Sequence, residues 1–512
     1  MIQKIPRKYA SSALPGALSG ALSGFALILV HFLYLREVPG FQIDEAWASI
    51  FGYQIAFKPH YWPVQVASPY TSALVHYLAA GVFKVFGVSL LAYRVPPMLE
   101  VIAGVAFMSA ALLKIGEKRA ALLLPAVIAF FPALVINQRW PVDSTTFHVL
   151  CVGMVALGLA MRFKTPQTRW GDFWWIAGIV LGVMTHILFL GPALALWACL
   201  FFNSQLESRR NRIGIILCVI LLIPFYGVII SNEPDHLRAA GPLLISLALA
   251  VFHILPLSWT RPLAKARNWL LLPFVLVGCL ILIPFTIFIE GTWLEIFSNG
   301  YLVTRFLIGL SFIPVLLTLF FLRKHEVSTG FRRALWILPL SLLLIYLMVI
   351  KPGPRYLEIP FLFCAVLLAL GFARLKTSEL RWAMGLWILI GGAQLGLNYF
   401  KVAVAEAQED HVVQVWRWHD GSYGFLPKLR LMRRLQREGC SINDLGPGHP
   451  HEPFVELAFL SYGSDWPTPK ISTCRFGHQM QVRIRDMSRP EDQVERPDLG
   501  RYFEGPFKIE VH

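Results

Sequence analysis

Long uncharged apolar runs recur along this chain, and short clusters of Lys and Arg interrupt them. That alternation restricts the fold more than any other feature. Inside a bilayer a segment must satisfy its own backbone amides, so runs of this kind fold as spanning helices. The 512 residues are 56% hydrophobic with a mean hydropathy of +0.57, more apolar than soluble domains. The expected fold class is an all-α polytopic membrane protein. The formal net charge of +15 sits in the short clusters between runs, where the positive-inside rule accounts for it. Membrane lipids are therefore expected partners. No basic, aromatic-rich module is visible, so nucleic acid is not.

The clusters "KIPRK", "KIGEKR", "RFKTPQTRW", "ESRRNR", "TRPLAKAR", "RKHEVSTGFRR" and "RLKTSELR" are assigned to the cytoplasm. The connections of mixed sign, "REVPGFQIDE", "NQRWPVDS", "SNEPDHLR", "EGTWLEIFSNGYLVTR" and "KPGPRYLE", fall outside it. One run, 174–202, has basic segments on both sides. Two short spans turning near 185–192 restore the alternation. About thirteen spans result, with the N-terminus inside and the C-terminus outside. The first apolar run is long for a signal peptide, so an uncleaved first span is expected. Gly16, Gly20 and Gly24 recur along it, a stripe that permits close helix contact.

Three regions follow: a membrane domain over 1–400, a large first outer loop within it at 36–94, and a polar tail over 401–512. In the loop, "SPYTSALVHYLAAGVFKVFG" has helical apolar spacing, with Ser68 and Pro69 suited to its start and Gly87 to its end. "DEAWASIFGYQIAF" is a weaker second example. Both read as helices lying in the membrane interface. In the tail, "PKLRLMRRLQREG" and "EPFVELAFLSYG" read as helices and "QVRIRDM" as a strand, which makes a small extracytoplasmic α/β domain.

Acids are costly near a bilayer, yet Asp44 and Glu45 adjoin the end of the first run. They either complement a helix dipole or supply a general base that activates an acceptor hydroxyl. Asp143, in "NQRWPVDSTTF", stands on the second outer loop. Arg139, four residues earlier, offers an ordinary ion pair worth ~0–1 kcal/mol. Arg355, in "KPGPRYLEIPF", opens a span on the outer side, where it either binds a phosphate through its planar fork or snorkels. Lys351 and Arg94 carry the same two readings. His186 lies in the apolar "GVMTHILFLG", as a core histidine or as a functional polar group inside a span. Cys151, Cys199, Cys218, Cys279 and Cys364 read as small core residues. No GxGxxG, P-loop, GxSxG or HExxH occurs, so nucleotide binding has no support.

Taken in order, the acidic pair, the interfacial helices, a second acid on the next outer loop and a late "RY…P" at a span mouth resemble the GT-C class of membrane glycosyltransferases. The branch is that of bacterial protein O-mannosyltransferases and lipid A aminoarabinose transferase, whose "FG-x-S…A-x-R" is matched by "FGVSLLAYRVPP". Asp44, Glu45, Arg94, Asp143, Arg355 and Tyr356 match by order and context. The family's basic residue with Pro-Pro-Leu is replaced by "SPYT" at 68–71, and a Lys of its fifth span by His186.

The resemblance implies an inverting transfer from a polyprenyl-phosphate sugar to a lipid, glycan or protein acceptor at the outer face of a bacterial inner membrane. It implies a catalytic set of Asp44, Glu45 and Asp143. Arg355, Tyr356, Arg94, Arg139, Lys351 and His186 would bind the donor phosphate. Some members of the class use a divalent metal and others do not. The three acids are the set that would bind one, and no ligand spacing decides it. No other cofactor is expected, and the chain is expected to act as a monomer. Two alternatives stand beside this reading: a lipid-linked sugar flippase or transporter, which would favour charge at mid-span and internal repeats, and a scaffold with an inactive transferase fold. Cys440 and Cys474, in the tail, would meet an oxidising compartment that permits a disulfide.

Overall fold

The computed structural model describes residues 7–35, 43–65, 71–139, 145–165, 168–202, 208–232, 236–255, 358–393, 395–396, 482–486, 500–504 and 507–511. The chain opens with helix α1 (Arg7–Phe32). Two shorter helices follow in the first loop, α2 (Ile43–Phe57) and α3 (Leu74–Phe86). Next come α4 (Leu90–Lys114), α5 (Lys118–Ala129), the short α6 (Pro132–Gln138), α7 (Thr145–Lys164) and α8 (Arg169–Thr185). A 3-10 turn at Ile187–Phe189 leads into α9 (Leu190–Phe202), α10 (Arg209–Asn232) and α11 (His236–Ile254). After a further stretch come α12 (Glu358–Arg374) and α13 (Thr377–Ala393).

Among the described residues, three stretches are long and apolar enough to cross a membrane: Leu91–Lys114, Thr146–Lys164 and Arg209–Ser231. The stretch 256–357, to which the sequence reading assigns several of its thirteen spans, lies outside the described residues. So do 397–481, with the two helices read in the tail.

α5 shows why the bundle holds together. It is apolar around its whole circumference, as a helix inside a bundle must be. Leu124, Val127 and Ile128 are all fully buried. Its neighbours α1, α4 and α12 turn their other faces outward. Leu18, Leu22, Phe25 and Leu29 of α1 are exposed, the pattern of a helix that meets lipid rather than water.

α4 and α7 run side by side in the same direction at backbone contact. A Cβ on Gly104 would lie 2.5 Å from the Val149 carbonyl oxygen, and one on Gly153 would lie 2.4 Å from that of Gly104. α7 and α8 run antiparallel with the same economy: a Cβ on Gly178 would be 2.8 Å from the Cys151 carbonyl oxygen. Of the glycine stripe on α1, Gly20 meets Leu122 of α5 (2.6 Å from a built Cβ to Cδ2), whereas Gly24 has nothing within 4 Å. Cys151, Cys218 and Cys364 are free and buried, as read.

The basic connections converge at one end of this bundle. Arg374 pairs with Glu117 at 2.5 Å, and Arg119 donates to the Leu375 carbonyl at 2.7 Å. Asp172 holds Arg162 at 3.0 Å and Arg210 at 2.7 Å. Four of the clusters assigned to the cytoplasm thus share one face.

At the opposite end, α2 and α3 form their own small core. Gly52 of α2 lets Ala79 and Phe83 approach, 3.1 and 3.3 Å from a built Cβ. Ala48, Ile55, Ala80 and Tyr93 belong to the same cluster. Its outer rim is apolar and aromatic: Trp62 stacks on Tyr77 with centroids 6.2 Å apart, and Trp62 and Phe86 are 72% and 77% exposed. That is the composition of a membrane-interface belt.

The expected end of α3 at Gly87 is found, with φ +78°. Its expected start is not. The helix begins at Leu74 rather than near Pro69, because Thr71 and Ser72 pair elsewhere as isolated bridges, with His186 and Gln65. The backbone amides of Ser72 and Ala73 are spent on the carbonyls of Met184 (3.2 Å) and Val64 (2.9 Å). Tertiary pairing overrides the capping signal.

In the tail, "QVRIRDM" contains strand β1 (Val482–Asp486), as read, joined by β2 (Gly500–Glu504) and β3 (Phe507–Val511). The order is β1-β3-β2 and both pairings are antiparallel. The register sets Val482 opposite Val511 and Ile484 opposite Ile509, and Arg483 opposite Glu510.

Candidate functional site at the end of the bundle away from the basic clusters

Asp44 and Glu45 are the second and third residues of α2. A first-turn carboxylate faces unsatisfied amides and the positive end of the helix dipole. α2 is held to α3 by His76, which is buried and hydrogen-bonded to the Ala48 carbonyl. Burial drives the His76 ring down to about 4, so it is neutral at pH 7. Its Nδ1 has no hydrogen-bond partner among the described residues.

The approach to that loop is the end of α1, which two arginines hold. A helix leaves its last carbonyls without intrahelical partners. Arg139, just past α6, donates from one terminal nitrogen to the Val30 carbonyl at 2.5 Å and from the other to that of Leu33 at 2.6 Å. Arg94, in the first turns of α4, donates to the Leu35 carbonyl at 2.8 Å. Both side chains are 0% exposed. His31 stands in the same turn, with Nδ1 2.8 Å from the Leu27 carbonyl and Nε2 2.9 Å from the Gln138 amide.

A second buried pair lies one helix away. The Thr146 hydroxyl, at the head of α7, donates to the Glu100 carboxylate of α4 at 3.1 Å. Asp143 lies outside the described residues, but its loop, 140–144, has tethered ends. Arg139 on one side is tied to α1, and Thr146 on the other is tied to α4.

His186 occupies the break between α8 and the 3-10 turn, with extended backbone (φ −155°, ψ 132°). The helix therefore stops and restarts inside the stretch where the sequence suggested a turn. Its Nδ1 accepts the Leu188 amide at 3.1 Å, and its backbone bridges Thr71 of the first loop. His148 of α7 lies edge-on to it at 6.2 Å, buried, and its Nε2 lacks a hydrogen-bond partner among the described residues. Lys351, Arg355 and Tyr356 lie outside the described residues. They directly precede α12, whose first residue, Glu358, is buried. Phe361 of α12 packs on Phe131 beside α6, with ring centroids 5.7 Å apart.

Arg94, Arg139 and His186 thus share one end of the bundle with the start of α2. Glu100 and His148 escaped the sequence reading, although an ionisable residue inside an apolar run is the signal that finds such groups. Among the described residues no group of three or more His, Cys, Asp or Glu is arranged to hold a metal ion. The side chains of Asp44, Glu45 and Asp143 are not among them.

No protein-family model matches the chain, and no curated protein matches it. Among solved structures, it is similar to an archaeal oligosaccharyltransferase and to ArnT. The Archaeoglobus fulgidus oligosaccharyltransferase in complex with Zn and sulfate gives a TM-score of 0.47 at 14% identity, over 88% of this chain and 57% of that one. The chain thus spans little more than half the length of that enzyme. ArnT from Cupriavidus metallidurans in the apo state gives 0.45 at 13% identity, covering 88% of this chain and 75% of its own. The same protein bound to undecaprenyl phosphate gives 0.38 at 12%, covering 97% of both chains.

Proposed function

We propose that the chain is an inverting glycosyltransferase that moves a sugar from a polyprenyl-phosphate donor to a lipid, glycan or protein acceptor at the outer face of a bacterial inner membrane. One observation carries this reading. The loop bearing Asp44 and Glu45 and the loop bearing Asp143 both leave the bundle beside the last turn of α1, where Arg94 and Arg139 are hydrogen-bonded, and the Glu100–Thr146 pair ties the far end of the Asp143 loop to α4. That end is opposite the face where the basic clusters gather.

In this reading Asp44 accepts the proton of the acceptor nucleophile, which attacks the anomeric carbon from the face opposite the phosphate. The new bond forms at that carbon as its bond to the phosphate oxygen breaks. Polyprenyl phosphate leaves with the electron pair. Arg355, Lys351, His186 and the Tyr356 hydroxyl stabilise the phosphate charge, Arg355 through its bidentate fork. Asp143 positions the acceptor and Glu45 tunes its neighbour. The polar tail over 401–512 recognises the acceptor or shields the site. A divalent ion held by the three acids would polarise the nucleophile.

The test is purified protein in nanodiscs supplied with polyprenyl-phosphate sugars and extracted envelope acceptors. Sugar transfer with stoichiometric release of polyprenyl phosphate is the expected result. Movement of the donor between leaflets without cleavage would overturn the reading in favour of a flippase.

A further inference from the structure

Among the described residues, Arg94 and Arg139 are the two largest side chains buried without remainder, and both have their guanidinium groups on backbone carbonyls of one short turn. That turn has an unusual shape. Tyr34 has φ +50°, in the left-handed region that costs a non-glycine residue ~1 kcal/mol or more. The helix ends around it: the Leu33 amide still reaches the Leu29 carbonyl at 2.8 Å, and the Leu35 amide reaches only as far back as Phe32, at 3.2 Å. The carbonyls of Val30, Leu33 and Leu35 are those to which the arginines donate. Two cations at a helix C-terminus also oppose the negative end of its dipole. Arg139 comes from the segment that continues into Asp143, and Arg94 from the helix that carries Glu100. The turn they grip continues, through seven residues (36–42), into α2 with Asp44 and Glu45.

We propose that Arg139 and Arg94 are positioning residues. By clamping the C-terminal turn of α1 to α6 and α4, they set the separation between the acidic pair and Asp143, and they leave the donor phosphate to other cations. This inference rests on the transferase reading for its effect on rate, but the clamp itself does not. Arg139 is the sharper test, because its two terminal nitrogens hold two different carbonyls. A lysine has one nitrogen on a narrower stem and cannot span both. Displacing a reacting group by about 1 Å costs roughly 10²-fold in rate, so a loosened clamp reads out as turnover rather than donor binding.

The experiment compares wild type with Arg139→Lys, Arg139→Gln and Arg94→Lys, full-length in nanodiscs. Hydrogen exchange is followed over residues 30–35, alongside the dissociation constant for polyprenyl phosphate and transfer kinetics. Faster exchange in that turn is expected for both Arg139 variants while the basic end stays protected. Affinity for polyprenyl phosphate is expected to be unchanged, with turnover down about 10- to 100-fold at an unaltered donor KM. Lys at Arg139 should retain more activity than Gln, since it keeps one hydrogen bond and the charge. Weakened polyprenyl phosphate binding with a quiet turn would overturn the proposal and make Arg139 a phosphate ligand. Unchanged exchange in every variant would also overturn it. If wild type shows no transfer at all, the transferase reading fails on its own, and the exchange data still decide the clamp.

Discussion

The Thr146 hydroxyl donates to the Glu100 carboxylate across 3.1 Å, deep between two parallel helices whose backbones touch one turn further on. A buried carboxylate is costly unless its oxygens find donors, and this one anchors the head of α7 a few residues beyond Asp143. Glu100→Gln keeps an acceptor of the same shape, so stability within about 1 kcal/mol of wild type is expected. Glu100→Ala strands the Thr146 hydroxyl, and a loss of about 1–3 kcal/mol is expected. Denaturation of both variants in one detergent measures the difference. Equal stability of the two would mean that the hydrogen bond contributes nothing.

Asp44→Asn separates the two roles of the acidic pair. It keeps a hydrogen-bond acceptor near the start of α2 and removes the basicity. The catalytic reading expects normal expression, retained donor binding and a rate loss of ~10²–10⁴-fold. A helix-dipole role alone predicts a loss of ~0.3–1 kcal/mol in stability with near-normal turnover. Single-turnover transfer by the folded variant distinguishes them. Glu45→Gln should be milder, and Asp143→Asn should cost activity through acceptor positioning.

Arg355 is expected to hold the donor phosphate by two parallel hydrogen bonds. Arg355→Lys keeps the charge without the fork and should bind polyprenyl phosphate more weakly while remaining folded. Equilibrium binding of the labelled lipid phosphate measures this. Wild-type affinity in Arg355→Ala would reduce Arg355 to a residue that snorkels.

His76 makes the α2–α3 pair sensitive to acid. Its ring sits near 4 in the folded protein because burial disfavours the charge, against 6.5 when exposed. Between those values the unfolded segment takes up a proton that the folded one refuses. Stability is therefore complete above about pH 6.5, falls as pH drops towards 4, and falls no further below it. The full effect is on the order of 3 kcal/mol. Hydrogen exchange over Ile43–Phe57 should accelerate between pH 7 and 4.5, after correction for the intrinsic rate. His76→Gln, which still donates but does not titrate, should flatten that dependence, and an equal acceleration in the variant would place the acid sensitivity elsewhere.

Sequence patterns anticipated the features that depend on local chemistry. The stop at Gly87 needed a residue at ease with positive φ. The break at His186 was visible as one span too few for the charges around it. The strand at Val482–Asp486 alternated. What escaped depends on distant partners. Ser68 and Pro69 signal a helix start, but the segment after them gives its backbone to His186, Met184 and Val64. Arg94 and Arg139 look like any cation near a span mouth, because a backbone carbonyl some sixty or a hundred residues away leaves no mark in composition. Glu100 is legible in principle as an acid inside an apolar run, but its Thr146 partner, on another helix, is not.

The contact of Gly104 with Val149 and Gly153 closes one flank of the molecule to traffic. Where there is no room for a methyl group there is none for an isoprenoid chain, so the lipid donor proposed above would have no doorway between α4 and α7. It would have to slip in along another seam, and the glycines that make this one tight also decide which seams are left as entrances.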